Sequence, residues 1–147
     1  MRPFFETILL VDDDFATNHY HEIILEEWGV SKAIYMVSNG QQALEFLKTQ
    51  PQQGKPSLIL LDINMPVMNG FEFLEEYERL DESQKVSFVI FMLTSSLHPN
   101  DVQRAGKFKA LNGYCEKPMT EEVLKTIVDK IQASYNAYAE AEASLSV

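Results

Sequence analysis

"LILLDINMPVMNG", residues 58–70, decides how the rest of the chain is read. An unbroken apolar run ends on Asp62, the chain breaks at Met65-Pro66, and it turns at Asn69-Gly70. Continuous apolar residues, in place of strict alternation, mark a strand covered on both faces and point to a parallel sheet. The run begins at "SLILL" (57–61), and four comparable segments surround it: "TILLV" (7–11), "AIYMV" (33–37), "SFVIFML" (87–93) and "GYCE" (113–116).

Helix-period segments lie between them. "FATNHYHEIILEEWG" places Phe15, His19, Ile23 and Ile24 along one expected inner face, with Asp14 as N-cap and Gly29 as the stop. "GQQALEFLKTQ" carries Ala43, Leu44 and Leu47 inward, and "GFEFLEEYERLDES" carries Phe71, Leu74 and Tyr77 inward beneath an acidic outer face. "PNDVQRAGKFKAL" reads as a weaker helix, because Gly106 costs stability within it. The strongest periodicity is in "TEEVLKTIVDKIQASYNAYAEA", with Thr120 as N-cap and Leu124, Ile127, Val128 and Ile131 as the buried stripe. Strand and helix thus alternate five times, which favours an α/β, doubly wound parallel sheet with right-handed crossovers. "TQPQQGKP" (49–56) is expected to be an exposed loop within the domain. Residues 1–134 are expected to form the domain, and 135–147 an extension of the last helix that frays at its end. Tyr135, Tyr138 and Leu145 on that extension motivate a homodimer.

A chain of 147 residues with 46% apolar content suits one domain with a substantial core. The net charge of −10 leaves no basic face for phosphates, which argues against nucleic-acid binding and against an anionic membrane surface. Cys115 stands alone, so an intrachain disulfide is impossible, as suits a reducing compartment. "MRPFFETILLVDDD" is charged too early for a signal peptide or a spanning helix, and a cytoplasmic location is expected.

In open parallel sheets, ligands bind outside the carboxyl ends of the strands. The first strand ends in Asp12, Asp13 and Asp14, the third in Asp62, the fourth in Thr94 and Ser95, and the fifth in Lys117-Pro118. The second ends blandly, in Ser38-Asn39. Carboxylates crowded on one rim need a proton or a cation between them. A hard divalent ion such as Mg²⁺ suits oxygen ligands of this kind. A nearby lysine and threonine are the parts needed to hold a phosphoryl group, and a carboxylate that the metal leaves open can be the nucleophile. On that reasoning Asp62 sits at the mouth of its strand because it is the group modified.

With "ILLVDDD", "LILLDINMPVMNG", "FMLTSS" and "GYCEKPMT" in this order, the chain resembles the receiver domain of two-component response regulators, in particular the single-domain, chemotaxis-regulator-like kind. The resemblance covers residues 7 to about 132. It implies a flavodoxin-like fold, with strand order 2-1-3-4-5 and five helices. It further implies Asp62 as the phosphoacceptor, Asp13 binding Mg²⁺ directly, Asp12 binding it through water, and the Asn64 carbonyl as a further metal ligand. Lys117 would contact the phosphoryl group, and the bond to Pro118 would be the family's cis peptide. Thr94 would bind a phosphoryl oxygen and move on activation, with Tyr114 swinging inward alongside it. Ser95 is small, as phosphoryl access requires, while Asn64 and Ser96 flank the entry for attacking water. The implied partners are a histidine kinase or histidine phosphotransfer protein as donor, and an output protein at the surface of the fourth helix, fifth strand and fifth helix. The implied activity is signalling, with self-catalysed phosphoryl acceptance and slow autodephosphorylation.

An alternative is a haloacid-dehalogenase-type phosphatase, with Asp12 as nucleophile, Asp14 as general acid and Thr94 and Lys117 as further motifs. The acid pair it needs after the lysine is missing, and Asp62 would have no role. A receiver that only scaffolds a partner is a further reading, disfavoured because every site residue is present. Asp14 reads as a helix cap, His19 and His21 as helix residues that do not share a face, Cys115 as an inert buried thiol and Trp28 as packing.

Overall fold

The computed structural model describes residues 3–49, 57–81, 88–95, 98–117 and 119–145, and at 88, 89, 135 and 137–145 it describes the backbone. Residues 50–56, Ser87, Ser96, Pro118 with its peptide bond, and the side chains of Tyr135, Tyr138 and Leu145 lie outside the described residues. The chain divides into two compact units, residues 1–117 and 118–147.

The first unit alternates β1 (Phe5–Val11), α1 (Phe15–Trp28), β2 (Ser31–Val37), α2 (Gly40–Thr49), β3 (Ser57–Asp62), α3 (Gly70–Glu78), β4 (Phe88–Thr94), α4 (Pro99–Ala105) and β5 (Leu111–Glu116). The second contains α5 (Glu121–Leu145). All strand pairs are parallel, in the order β2-β1-β3-β4-β5. This is the doubly wound arrangement that the alternation and the resemblance led us to expect.

Burial follows position in the sheet. Every residue of the central β3 is buried, and β1 nearly matches it. The edge strands β2 and β5 are only half-buried, with β5 alternating along its length, because each has a neighbour on one side only. Leu9, Val11, Ile59, Leu61, Ile90 and Met92 point to one face, where Ala43, Leu44 and Leu47 of α2 and Phe71, Phe73, Leu74 and Tyr77 of α3 complete the core. Their alternates Ile8, Leu10, Leu58 and Leu60, also fully buried, point to the other face.

Two helices depart from expectation. On α1 the buried residues are Asn18, His21, Ile24 and Leu25, whereas Phe15 is 70% and Ile23 45% exposed, and His19 is also exposed. Periodicity located the helix, but two stripes compete along it, and tertiary contact selected the one carrying Asn18 and Leu25. Phe15 instead stacks on His19, with ring centroids 5.8 Å apart. The α1 ends are as expected: Asp14 accepts from the Ala16 amide, and Gly29 closes the helix at φ 62°. The fourth helix ends at Ala105, so Gly106 follows the helix and imposes no interior penalty.

Within the second unit, the Thr120 hydroxyl accepts the Val123 amide at 3.2 Å. Leu124, Ile127, Val128 and Ile131 are buried as expected, and the helical backbone runs to Leu145.

Candidate functional site

The strand ends of the first unit build an acidic cup. Ligand oxygens of Asp12, Asp13 and Asp62 all lie within 4.8 Å of one another. Asp12 and Asp62 are buried and Asp13 is exposed, so the cup opens on the Asp13 side.

Lys117 stands between the buried pair. Its Nζ lies 2.5 Å from Asp12 Oδ2 and 3.1 Å from Asp62 Oδ1. The sheet aims this side chain. A bulge between Ile90 and Phe91 shifts the β4–β5 register, so that Thr94 pairs with Glu116. The side chain of the extra residue, Asn112, accepts the Ile90 amide at 3.1 Å. The Lys117 amide then donates to the Thr94 carbonyl at 2.6 Å, and the lysine leaves the sheet beside Asp62.

Asp12 is fully engaged by the protein. Its amide donates to the Val37 carbonyl, its carbonyl accepts from Asn18 Nδ2, its Oδ1 accepts the Asp14 amide at 2.9 Å, and its Oδ2 receives Lys117. Among the described residues, no hydrogen bond reaches the Asp13 carboxylate.

These contacts set the electrostatics. Burial raises the Asp62 carboxyl to about 6, the charges of Asp12 and Asp13 push the same way, and Lys117 opposes them. Burial alone would lower Lys117, but its hydrogen bond to Asp12 and the charge of Asp62 leave it above its ordinary value. An all-oxygen donor set of three carboxylates, only partly compensated by one ammonium, fits a hard divalent cation.

The turn after Asp62 is closed on itself. The Ile63 amide continues the ladder to the Leu93 carbonyl at 3.1 Å, and the Gly70 amide returns to the Ile63 carbonyl at 2.8 Å. A Cβ at Gly70 would stand 2.5 Å from the Asp62 carbonyl oxygen, so the start of α3 rests directly on the Asp62 backbone. Within the turn, Val67 adopts φ 67°, a left-handed conformation that β-branched residues disfavour, and Asn69 caps α3 in a capping box with Glu72. The carbonyls of Pro66 and Met68 accept backbone amides; among the described residues the Asn64 carbonyl accepts none.

The remaining candidates are more dispersed. Thr94 is buried at the end of β4, one residue beyond the Leu93 that pairs with Asp62. Ser95 and Asn64 are exposed. Tyr114 is 42% exposed on the edge strand β5, turned outward. Cys115 is half-buried, less enclosed than expected, and its thiol is pushed up to about 11 by burial, which keeps it protonated and unreactive at neutral pH. His21 is buried, and burial lowers its pKa despite the charge of Asp12.

Asn18 escaped the sequence reading. A single polar residue on a helix carries little signal. The available hint was its spacing of three and seven residues before His21 and Leu25 on the face that proved to be buried.

Comparison with known proteins accords with this geometry. The family described as "Response regulator receiver domain" matches residues 8–129. The chain is 32% identical to the chemotaxis protein CheY of Halobacterium salinarum, over 86% of this chain and 97% of that one. It is 29% identical to two-component response regulator 24 of Arabidopsis thaliana, over 85% and 83% of the two chains. Among solved structures, a two component response regulator from Cytophaga hutchinsonii superposes with a TM-score of 0.76 at 29% identity, over 88% of this chain and 98% of that one. The chemotaxis response regulator CheY4 of Vibrio cholerae gives 0.71 at 26% identity, over 86% and 98%. Strand ends gather the acids, sheet register aims the lysine, and the family's pattern runs through most of the sequence: this chain belongs to the response regulator receiver domain family of two-component systems.

Proposed function

We propose that the chain is a receiver that accepts a phosphoryl group on Asp62 from a histidine kinase or histidine phosphotransfer protein. An Asp62 oxygen attacks phosphorus, the O–P bond forms as the donor's P–N bond breaks, and the released imidazole takes a proton from solvent. The observation that carries this reading is the contact of Lys117 Nζ with both Asp12 and Asp62 inside a three-carboxylate cup.

Mg²⁺ is the cofactor that suits the cup; bound there, it supplies charge to the phosphoryl oxygens during transfer. Asp13, Asp62 and the Asn64 carbonyl would hold the ion directly. Asp12, with both carboxylate oxygens already bonded, acts through water. Lys117 meets the incoming phosphoryl oxygens and holds the acceptor in place beforehand. Thr94 donates its hydroxyl to a phosphoryl oxygen, and Tyr114, outward in this structure, moves inward with it. This coupling carries the signal to α4 and β5, where an output protein binds, and the product of the reaction is a conformation. Ser95, together with Asn64 and Ser96, governs access of phosphoryl donor and hydrolytic water, and slow autodephosphorylation resets the domain. Residues 1–134 make up the receiver and 135–147 an extension through which two copies associate. The setting is the cytoplasm. No helix among the described residues is long and apolar enough to cross a membrane.

No observation favours Asp12 as a phosphatase nucleophile, because its carboxylate is bonded on both oxygens. The test is phosphorylation by a small-molecule phosphodonor with Mg²⁺, read by intact mass. The wild type is expected to gain one phosphoryl group, Asp62→Asn none, and Asp12→Asn the same group more slowly. Loss of the adduct in Asp12→Asn with retention in Asp62→Asn would overturn the assignment.

A further inference from the structure

The second strand contributes no side chain to the cup, yet its end touches both walls. On one side, the Val37 carbonyl accepts the Asp12 amide at 3.1 Å and Asn18 Nδ2 at 3.3 Å. The same Asn18 amide donates to the Asp12 carbonyl at 3.0 Å. Asn18 is 4% exposed, so these bonds form away from water, where losing one strands a carbonyl. On the other side, the Gly40 amide donates to the Met68 carbonyl at 2.9 Å, inside the turn that carries Asn64. Contact there is close enough to exclude a side chain: a Cβ at Gly40 would lie 2.8 Å from Met68 Cγ and 3.0 Å from both Met68 O and Phe73 Cβ. The connecting residues are themselves fixed. The Ser38 amide donates to Gln42 Oε1 at 2.8 Å, and Asn39 Oδ1 accepts the Gln42 amide at 2.9 Å.

We propose that the β2–α2 junction, residues 37–40, is a brace that sets the spacing between the Asp12–Asp13 wall and the Asp62–Asn64 wall of the cup, with Asn18 and Gly40 as positioning residues for the divalent cation. This rests on the reading of the cup as a cation site. A cation held by ligands from two separate strand ends binds tightly only if their separation is set beforehand. The β1–β3 ladder sets Val11 beside Leu61 and ends there. Past it, three like charges act to spread the metal-free cup, and Lys117 ties Asp12 to Asp62 only through side chains. The junction adds a backbone tie beyond the end of that ladder, from Asp12 to Val37 and from Gly40 to Met68.

The experiment is a nuclear magnetic resonance titration with Mg²⁺ alone on wild type, Asn18→Ala, Gly40→Ala and Leu25→Ala, with urea unfolding of each. Leu25 is fully buried on α1, ten residues beyond the Asp14–Phe15 start and therefore about 15 Å along the axis. Partners that orient metal ligands typically alter affinity 10–100-fold, so Asn18→Ala and Gly40→Ala are expected to bind Mg²⁺ about tenfold more weakly or worse. Leu25→Ala is expected to lose stability while keeping wild-type affinity. Wild-type affinity in both Asn18→Ala and Gly40→Ala, alongside reduced stability, would make these residues merely structural and overturn the brace. Should either fail to fold, Asn18→Ser, which keeps a single donor, is measured in its place: weakened binding supports the brace and unchanged binding overturns it. A folded wild type that does not bind Mg²⁺ would refute the cation site, and the brace with it.

Discussion

Asp62 is buried and surrounded by like charge. Its carboxyl is raised to about 6 from 3.8, first by burial and then by Asp12, with Lys117 pulling the other way. Because the native state binds this proton more tightly than the unfolded chain, stability contributed by the group is present below about pH 4 and is lost as pH rises through 6. One pKa unit corresponds to about 1.4 kcal/mol, so the metal-free wild type forgoes on the order of 2–3 kcal/mol at neutral pH. Asp62→Asn removes the charge and keeps an acceptor for Lys117. In metal-free buffer at pH 7, urea unfolding should therefore find it more stable than wild type by on the order of 2 kcal/mol, with the difference shrinking towards pH 4. An equal difference at both pH values would mean that charge at position 62 is not the cause. Most of this residue's environment was legible beforehand, since its own strand ends in an acid and two others end in acids and a lysine. The size of its displacement was not, because the burial that raises it, the approach of Asp12 and the 3.1 Å contact of Lys117 that opposes them arise only on folding.

Among the elements, α1 is where pattern and packing part company. Phe15, His19 and Ile23 form a continuous stripe in sequence, yet the buried stripe contains Asn18, His21 and Leu25, two of them polar. The reason is the strand ends beneath the helix. The Asp12 carbonyl needs a donor, and Asn18 supplies it, so polar satisfaction overrides apolar matching in the first turn and a half. Substitution separates the two stripes. Phe15→Ser and Ile23→Ser should each leave stability within about 0.5 kcal/mol of wild type, as exposed positions do. Leu25→Ala should cost about 2–5 kcal/mol by chemical unfolding, as deletion of a fully buried leucine does. A large loss at Phe15 would reinstate the stripe read from sequence. The strands behaved differently: β1, β3 and β4 were visible as apolar runs because burial on both faces leaves no room for polar alternation.

At the scale of the whole molecule, a net charge of −10 and an acid cup at one rim make the protein a natural sink for cations. A cation that binds the native state alone stabilises it by about 2.7 kcal/mol at a hundred times its dissociation constant. Thermal unfolding should therefore shift upward with Mg²⁺, while Na⁺ at matched ionic strength, which only screens, should do much less. Asp13→Asn, which removes the open carboxylate, should flatten the Mg²⁺ response; an undiminished shift would mean that the ion acts elsewhere on the acidic surface.

The order of strands and helices along the chain, the identity of the three acids and the place of Lys117 on the same rim were determined by sequence alone. Strand ends in an open parallel sheet share one rim, so residues found there converge without knowledge of any contact. Tertiary structure decided what local pattern cannot reach: which stripe of α1 is buried, how far Asp62 departs from an ordinary carboxyl, and that the chemically silent end of β2 touches both walls of the cup. Periodicity reports what lies three or four residues away, whereas burial, charge and backbone partners depend on chain brought in from far along the sequence.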